Sequence, residues 1–280
     1  MTRLLVVGIS VIDHVHRMDV LPSGGAKFRS HALDVIGGGC GANAAVGAAR
    51  LGGDVRLLTR LGADGPGDVL AAMLETAGVD VRATRGGRQP VSSVMVDAAG
   101  ERMIVNFPGA ALPQDPPPVS AFDALSADCR WPAATQAALR AARDAGVPSV
   151  IDGERHTPEP LAAQATHVVF SAEGVEAFAG IDGPDAALMD AARRLPGRVA
   201  YTDGPRGVIW AGGPTISAPI VTPVDTLGAG DLWHGAFALA LGRGVALDEA
   251  SRFANRAAAL KCTRAGGWDA YPTAAEMEDP

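Results

Sequence analysis

Between residues 224 and 241 the chain reads VDTLGAGDLWHGAFALAL. Three small residues, Gly228, Ala229 and Gly230, run into Asp231 and then into an apolar helical stretch. At a helix N-terminus the free backbone N–H groups and the helix dipole favour an anion. Side chains this small would let a phosphate approach the backbone closely. Asp231, which the pattern puts at the start of the helix, also fits as an ordinary N-terminal helix residue. A capping carboxylate, however, would compete with an anion for the same donors. Beside an anion hole it makes better sense as a general base, taking a proton from a hydroxyl that attacks phosphorus.

Such a turn needs a rigid sheet behind it, and the composition allows one. The chain has 280 residues, of which 48% are hydrophobic and 5% aromatic, enough for a single large α/β domain rich in alanine and glycine. The formal net charge is −7 and no lysine/arginine run exceeds two residues, so neither nucleic acid nor an anionic membrane is expected as a partner. Cys40, Cys129 and Cys262 are far apart and lack C-x-x-C spacing, which argues against zinc or a disulfide framework and fits a reducing cytoplasm. The opening MTRLLVVGIS meets glycine after seven residues, too short a run for a signal segment or a bilayer span, and reads as a buried first strand.

A βαβα rhythm follows: strands at 3–8 and 54–62, helices at 39–51 and 67–78, and the same alternation again from TQAALRAARDAG through RVAYTDG. This implies a doubly wound, mainly parallel sheet flanked by helices. Residues 11–36 and 91–107 break the rhythm with alternating polar and apolar residues around turns, and predict a small β-sheet lid on a single domain spanning 1–280. The proline-rich stretch after 107 is expected to connect, and 218–231 to run from strand into loop.

The D-T-x-G-A-G-D at 225–231 resembles the second signature of the ribokinase, or PfkB, family of carbohydrate kinases. Residues 37–81, beginning GGGCGAN and containing RLGADGPG, are similar to the family's first signature, G-G-x-G-x-N followed by R-x-G-x-D-x-x-G. The resemblance implies a ribokinase-like fold, ATP and Mg2+ as cosubstrates, and phosphoryl transfer to a primary hydroxyl; it leaves a monovalent cation open. Position by position, Asp231 matches the family's catalytic base, and Gly228, Ala229 and Gly230 its anion hole. Asp13 matches a lid aspartate that binds sugar hydroxyls, and Gly38, Gly39 and Asn43 match sugar-contacting residues. Thr202, Gly204 and Gly207 in YTDGPRG match T-x-G-x-x-G near the nucleotide phosphates and ribose, and Asn255 matches a residue near adenine. By type alone, Asp13 also reads as a turn residue, GGGCG as a flexible turn, and Asn255 carries no signal. One departure concerns the metal: where the family has N-x-x-E, residues 171–174 read SAEG. Glu173 and Glu176 are the nearby carboxylates that could hold the shell of Mg2+ through water.

For the acceptor, Lys27 in the first lid segment, Asn106 at the end of the second, and Arg130 after the strand of FDALSADCR could converge on the far end of a sugar from Asp231. Two cations and an amide would clamp a tetrahedral anion. A surface lysine, a strand-end asparagine and an ion-paired arginine are the alternative. The segments GISVIDHVHRMDVLPSGGAKF, DAAGERMIVNFPG and ADCRWP, among others, look like the sulfofructose kinases of this superfamily. That resemblance implies that Lys27, Asn106 and Arg130 bind a sulfonate and that the C1 hydroxyl of 6-deoxy-6-sulfofructose is phosphorylated. A fructokinase or ketohexokinase, a phosphosugar kinase, and a non-catalytic sugar-binding regulator remain open. Lid sheets in the superfamily often pair, which implies a homodimer.

Overall fold

The computed structural model describes residues 1–278. The chain runs β1 (Arg3–Val7), β2 (Val11–Arg17), β3 (Ala32–Gly38), α1 (Cys40–Arg50), β4 (Asp54–Leu61), α2 (Gly65–Thr76) and β5 (Asp80–Arg85). A hairpin of β6 (Val91–Val96) and β7 (Arg102–Phe107) follows, then β8 (Ala124–Ala127), α3 (Pro132–Ala145), β9 (Ser149–Gly153), α4 (Glu159–Ala162), β10 (His167–Ser171) and α5 (Ala172–Ala179). The last stretch holds α6 (Pro184–Arg194), β11 (Arg198–Thr202), β12 (Val208–Trp210), β13 (Thr215–Ile216), α7 (Ala229–Gly242) and α8 (Leu247–Cys262).

Nine strands form the main sheet in the order β13-β12-β11-β10-β9-β8-β1-β4-β5, parallel from β11 to β5, with β12 and β13 antiparallel at one edge. Parallel strands buried on both faces need apolar residues pointing both ways. In β1, Leu4 and Val6 join the core under α1, α2, α7 and α8, whereas Leu5 and Val7 join the core under α3 to α6. The lid is a four-stranded sheet, β3-β2-β6-β7, built from the two segments that broke the helical rhythm. Among the described residues no helix is long and apolar enough to cross a membrane.

Three local expectations are corrected. Residues 217–228 form no strand: Pro219 and Pro223 lack the N–H a ladder needs, and Ile220 is fully exposed. Helix α7 begins at Ala229, so Asp231 lies within its first turn instead of opening it. Helix α2 begins at Gly65, with Pro66 in its first turn and the Asp64 side chain accepting from the Gly67 amide at 3.2 Å.

Candidate active site

Gly228 caps α7 in the left-handed region, φ 74°, and a Cβ there would overlap the Tyr271 hydroxyl. Only glycine meets both demands. A Cβ on Gly230 would meet open space, so the first turn of α7 faces a void with its amides free of side-chain caps. Asp231 looks into the same cleft. Its carboxyl is held above the usual carboxylate range, because burial outweighs the stabilising Asn43 amide, His234 and the Cys40 thiol.

Asn43 reaches Asp231 because α1 and α7 pack unusually closely. Gly235 lies against the Ala44 carbonyl and Gly47 against Leu232, and a Cβ at either position would collide. The Asn43 Nδ2 donates to Asp231 Oδ2 at 2.7 Å, and its Oδ1 accepts from Trp268 Nε1 at 2.8 Å. With both ends of the amide engaged, its orientation is fixed and the carboxylate is aimed.

From the lid, the register sets Asp13 opposite Ser92, and Ser92 opposite Asn106, on one face of three adjacent strands. Asn106 Nδ2 donates to Ser92 Oγ at 3.1 Å. Gly38 ends β3 beside Asp13, where any Cβ would overlap the carboxylate, and Gly39 caps α1. Burial raises the Asp13 carboxyl; Ser92 lowers it and Asp231 raises it further. Asp13, Asn43 and Asp231 thus face one cleft.

The C-terminal edge of the parallel sheet, where such folds bind ligands, carries an acidic group that the motifs do not reveal. Asp128 follows β8, accepts from the Ile9 and Arg130 amides at 2.8 Å each, and is pushed up to about 6 by burial. Asp152, next to last in β9, is pushed up to about 7, again mainly by burial. Glu154 accepts from Cys40 Sγ at 3.1 Å and from the Arg130 guanidinium. His234, one turn along α7 from Asp231, lies 3.5 Å from Asp152 Oδ1. Ligand atoms of Cys40, Asp152 and Glu154 all lie within 4.8 Å of one another. Arg130 therefore belongs to the same side-chain network as Cys40 and Asp231, although half of its side chain remains exposed. Lys27 lies on the exposed loop between β2 and β3 and forms no ion pair among the described residues.

On the other side of the α7 N-terminus a cavity of about 500 Å³ is walled by Thr202, Gly204, Gly207, Thr226, Ala229 and Gly230, with Trp233 and Asn255 deeper in. Its lining is largely apolar and opens onto the helix N-terminus, as a nucleoside with a trailing phosphate chain requires. Asn255 lines it, but its amide is committed: Oδ1 accepts from Trp233 Nε1 and Nδ2 donates to the Ile216 carbonyl, both at 2.7 Å. It shapes the wall. Glu173 and Glu176 are not among the lining residues. Glu173 is exposed, 4.0 Å from Arg155, and Glu176 accepts from the Gly183 amide at 2.8 Å.

The profile of the pfkB family carbohydrate kinases matches residues 1–274. A ribokinase of Bacillus subtilis is 30% identical over 300 residues, covering 100% of this chain and 99% of its own length. A fructokinase of Klebsiella pneumoniae is 32% identical over 260 residues, covering 82% and 81%. The crystal structure of ribokinase from Thermotoga maritima superposes with a TM-score of 0.88 at 27% identity, covering 99% of this chain and 98% of that one. With both signatures gathered around Asp231, on a sheet and lid of the same architecture, the chain belongs to the pfkB family of carbohydrate kinases, phosphotransferases that act on sugar hydroxyls.

Proposed function

We propose that this chain is an ATP-dependent kinase for the C1 hydroxyl of 6-deoxy-6-sulfofructose. The observation that carries the acceptor is Arg130, a guanidinium tied through Glu154 and Cys40 to the catalytic cleft. A permanent cation suits a sulfonate, which stays anionic at every cellular pH, and arginine offers it two parallel donors. Asn106, in the cross-strand row with Ser92 and Asp13, adds a neutral amide on the sugar side. Lys27, on its loop, would complete the clamp when the lid closes.

Asp231 takes the proton of the C1 hydroxyl as that oxygen attacks the γ-phosphorus, with Asn43 holding the carboxylate in line. The amides of Gly228 and Gly230 face the charge that develops on the transferring group, while that of Ala229 also donates to the Thr226 carbonyl at 3.3 Å. Asp13 binds sugar hydroxyls, Asn43 offers them only the amide hydrogen and lone pair that Asp231 and Trp268 leave over, and the cavity at Thr202, Gly204 and Gly207 takes the nucleotide. Mg2+ would neutralise triphosphate charge. The donor chemistry fits: Asp152 and Glu154 present hard carboxylate oxygens, and a dication would reverse the burial effect on Asp152. Those two are largely buried and tied to His234 and Cys40 beside Asp231, whereas Glu173 is exposed and Glu176 is bonded to the Gly183 amide, so they are the better placed pair to hold its shell.

The same reading includes a homodimer and a cytoplasmic setting. The outer face of the lid carries Leu33, Val35, Met103, Val105 and Phe107, all substantially exposed, as a partner sheet would require. Three unpaired cysteines suit a reducing compartment.

A kinase for a neutral sugar is the second reading. It is favoured by the Arg130–Glu154 pair, which already neutralises the guanidinium, and by the ribokinase and fructokinase relatives. Initial rates with ATP and sulfofructose, fructose, ribose, fructose 6-phosphate and tagatose 6-phosphate separate the two. Arg130→Ala should raise KM for sulfofructose about 10- to 100-fold, the loss of a charged hydrogen bond, and leave fructose within about threefold. Equal losses on both sugars would remove the sulfonate from the proposal.

A further inference from the structure

Lys261, in the last turn of α8, has no exposed surface. Its Nζ donates to the Asp225 carbonyl oxygen at 3.0 Å and lies 3.2 Å from Asp225 Oδ2. A buried ammonium is expensive without a paired charge, and Asp225 is its ion-pair partner among the described residues. Asp225 opens the D-T-x-G-A-G-D segment. Its Oδ1 accepts from the Leu227 amide at 2.9 Å and from lid Arg102 at 3.1 Å. The amides of Val224 and Asp225 both donate to the Cys262 carbonyl, at 2.7 and 3.2 Å. Burial pushes the Asp225 carboxyl up, but the Leu227 amide, Lys261 and Arg102 outweigh it, and the net displacement is downward.

These contacts fix the turn that delivers Gly228, Ala229 and Gly230 to the cleft. A carboxylate and a main-chain carbonyl that converge on one point from a turn are oxygen ligands suited to a singly charged cation. Here Nζ fills that point, carries the same charge, and is covalently held, so no ion has to be captured from solution.

We propose that Lys261 is a tethered monovalent cation: its ammonium does for the anion-hole loop what a free potassium or ammonium ion would otherwise do, and catalysis by this chain needs no such ion. Lys261 is a positioning residue acting through Asp225. The proposal rests on the kinase activity and is indifferent to which sugar is the acceptor.

The test compares rates in tetramethylammonium buffer with and without KCl, using any acceptor the wild type turns over. Wild-type kcat should change by less than about threefold; larger activation by potassium overturns the proposal. Lys261→Ala removes the ammonium and leaves room for an ion. In ion-free buffer its kcat should fall about tenfold or more, and KM for ATP should rise as well, because the turn that carries the anion hole also walls the nucleotide cavity through Thr226, Ala229 and Gly230. Added KCl or NH4Cl should restore most of that loss. Wild-type kcat in the variant, or a loss that no ion reverses, overturns the proposal and leaves Lys261 a packing residue. Thermal unfolding keeps this apart from failure of the kinase reading. Whatever the activity, wild-type Tm should respond equally to KCl and tetramethylammonium chloride, whereas the variant's should rise specifically with KCl. A wild type stabilised by potassium alone overturns the proposal, and this arm decides it even if the variant does not fold.

Discussion

Replacing Asn43 with alanine isolates what holds the Asp231 carboxylate, the proposed base, ready. The amide donates to Asp231 Oδ2 at 2.7 Å, a short charge-assisted contact, and such bonds are worth about 1.5–3 kcal/mol. Each pH unit corresponds to about 1.4 kcal/mol, so losing the bond moves the acidic limb of the kcat profile by about one to two pH units. The sign is fixed by which form the amide favours. It stabilises the carboxylate, so without it Asp231, already held up by burial, keeps its proton to higher pH. The variant should therefore lose activity first on the acid side, while the alkaline plateau keeps an ionised base. The Trp268 indole N–H loses its acceptor as well, which should cost about 1–3 kcal/mol of stability. Coupled ADP-release assays between about pH 5 and 9, on wild type and Asn43→Ala at saturating ATP, measure the limb directly. A limb that stays in place, or moves toward acid, refutes the idea that this amide sets the ionisation of the base.

Asp231→Asn keeps the shape of the first turn of α7 and removes the proton acceptor, so kcat should fall by about 10²–10⁴-fold. Calorimetric titration should show ATP binding nearly unchanged; turnover close to wild type would remove Asp231 as the base. Val105→Glu puts a charge on the outer lid face, where Val105 is 62% exposed. The proposed lid pairing then predicts a dimeric wild type and a monomeric variant by light scattering; a monomeric wild type, or a variant that stays dimeric, removes that pairing.

What the sequence revealed and what it hid divide along physical lines. HVVFS is a strand at 167–171 in both, since a continuous apolar run bounded by polar residues has few other uses in this fold. Strand β5, DVRATR, escaped detection because an edge strand with Asp80, Arg82 and Arg85 looks like a loop. The short β12 and β13 carry too few residues for any period. Asp231 stands out because local chain chemistry builds an anion-binding helix start just ahead of it; Asn43 is singled out only by the family signature, and its bond to Asp231 is tertiary. Asp128, Asp152 and Glu154 do not stand out, because each is a single acidic residue at a strand end and their convergence is wholly tertiary. Ser92 was hidden for a related reason: only cross-strand register brings it between Asp13 and Asn106. The family resemblance puts Asn255 near adenine, and only its partners Trp233 and Ile216 reveal that its amide is spent on the wall.

Asn43 and Asp231, the pair proposed to aim and perform the proton transfer, are separated by 188 positions along the chain. A ribosome must therefore release nearly the whole polypeptide before they can meet. Until α7 docks against α1 through its glycines the Asn43–Asp231 bond cannot form, so the proposed site is complete only late in folding.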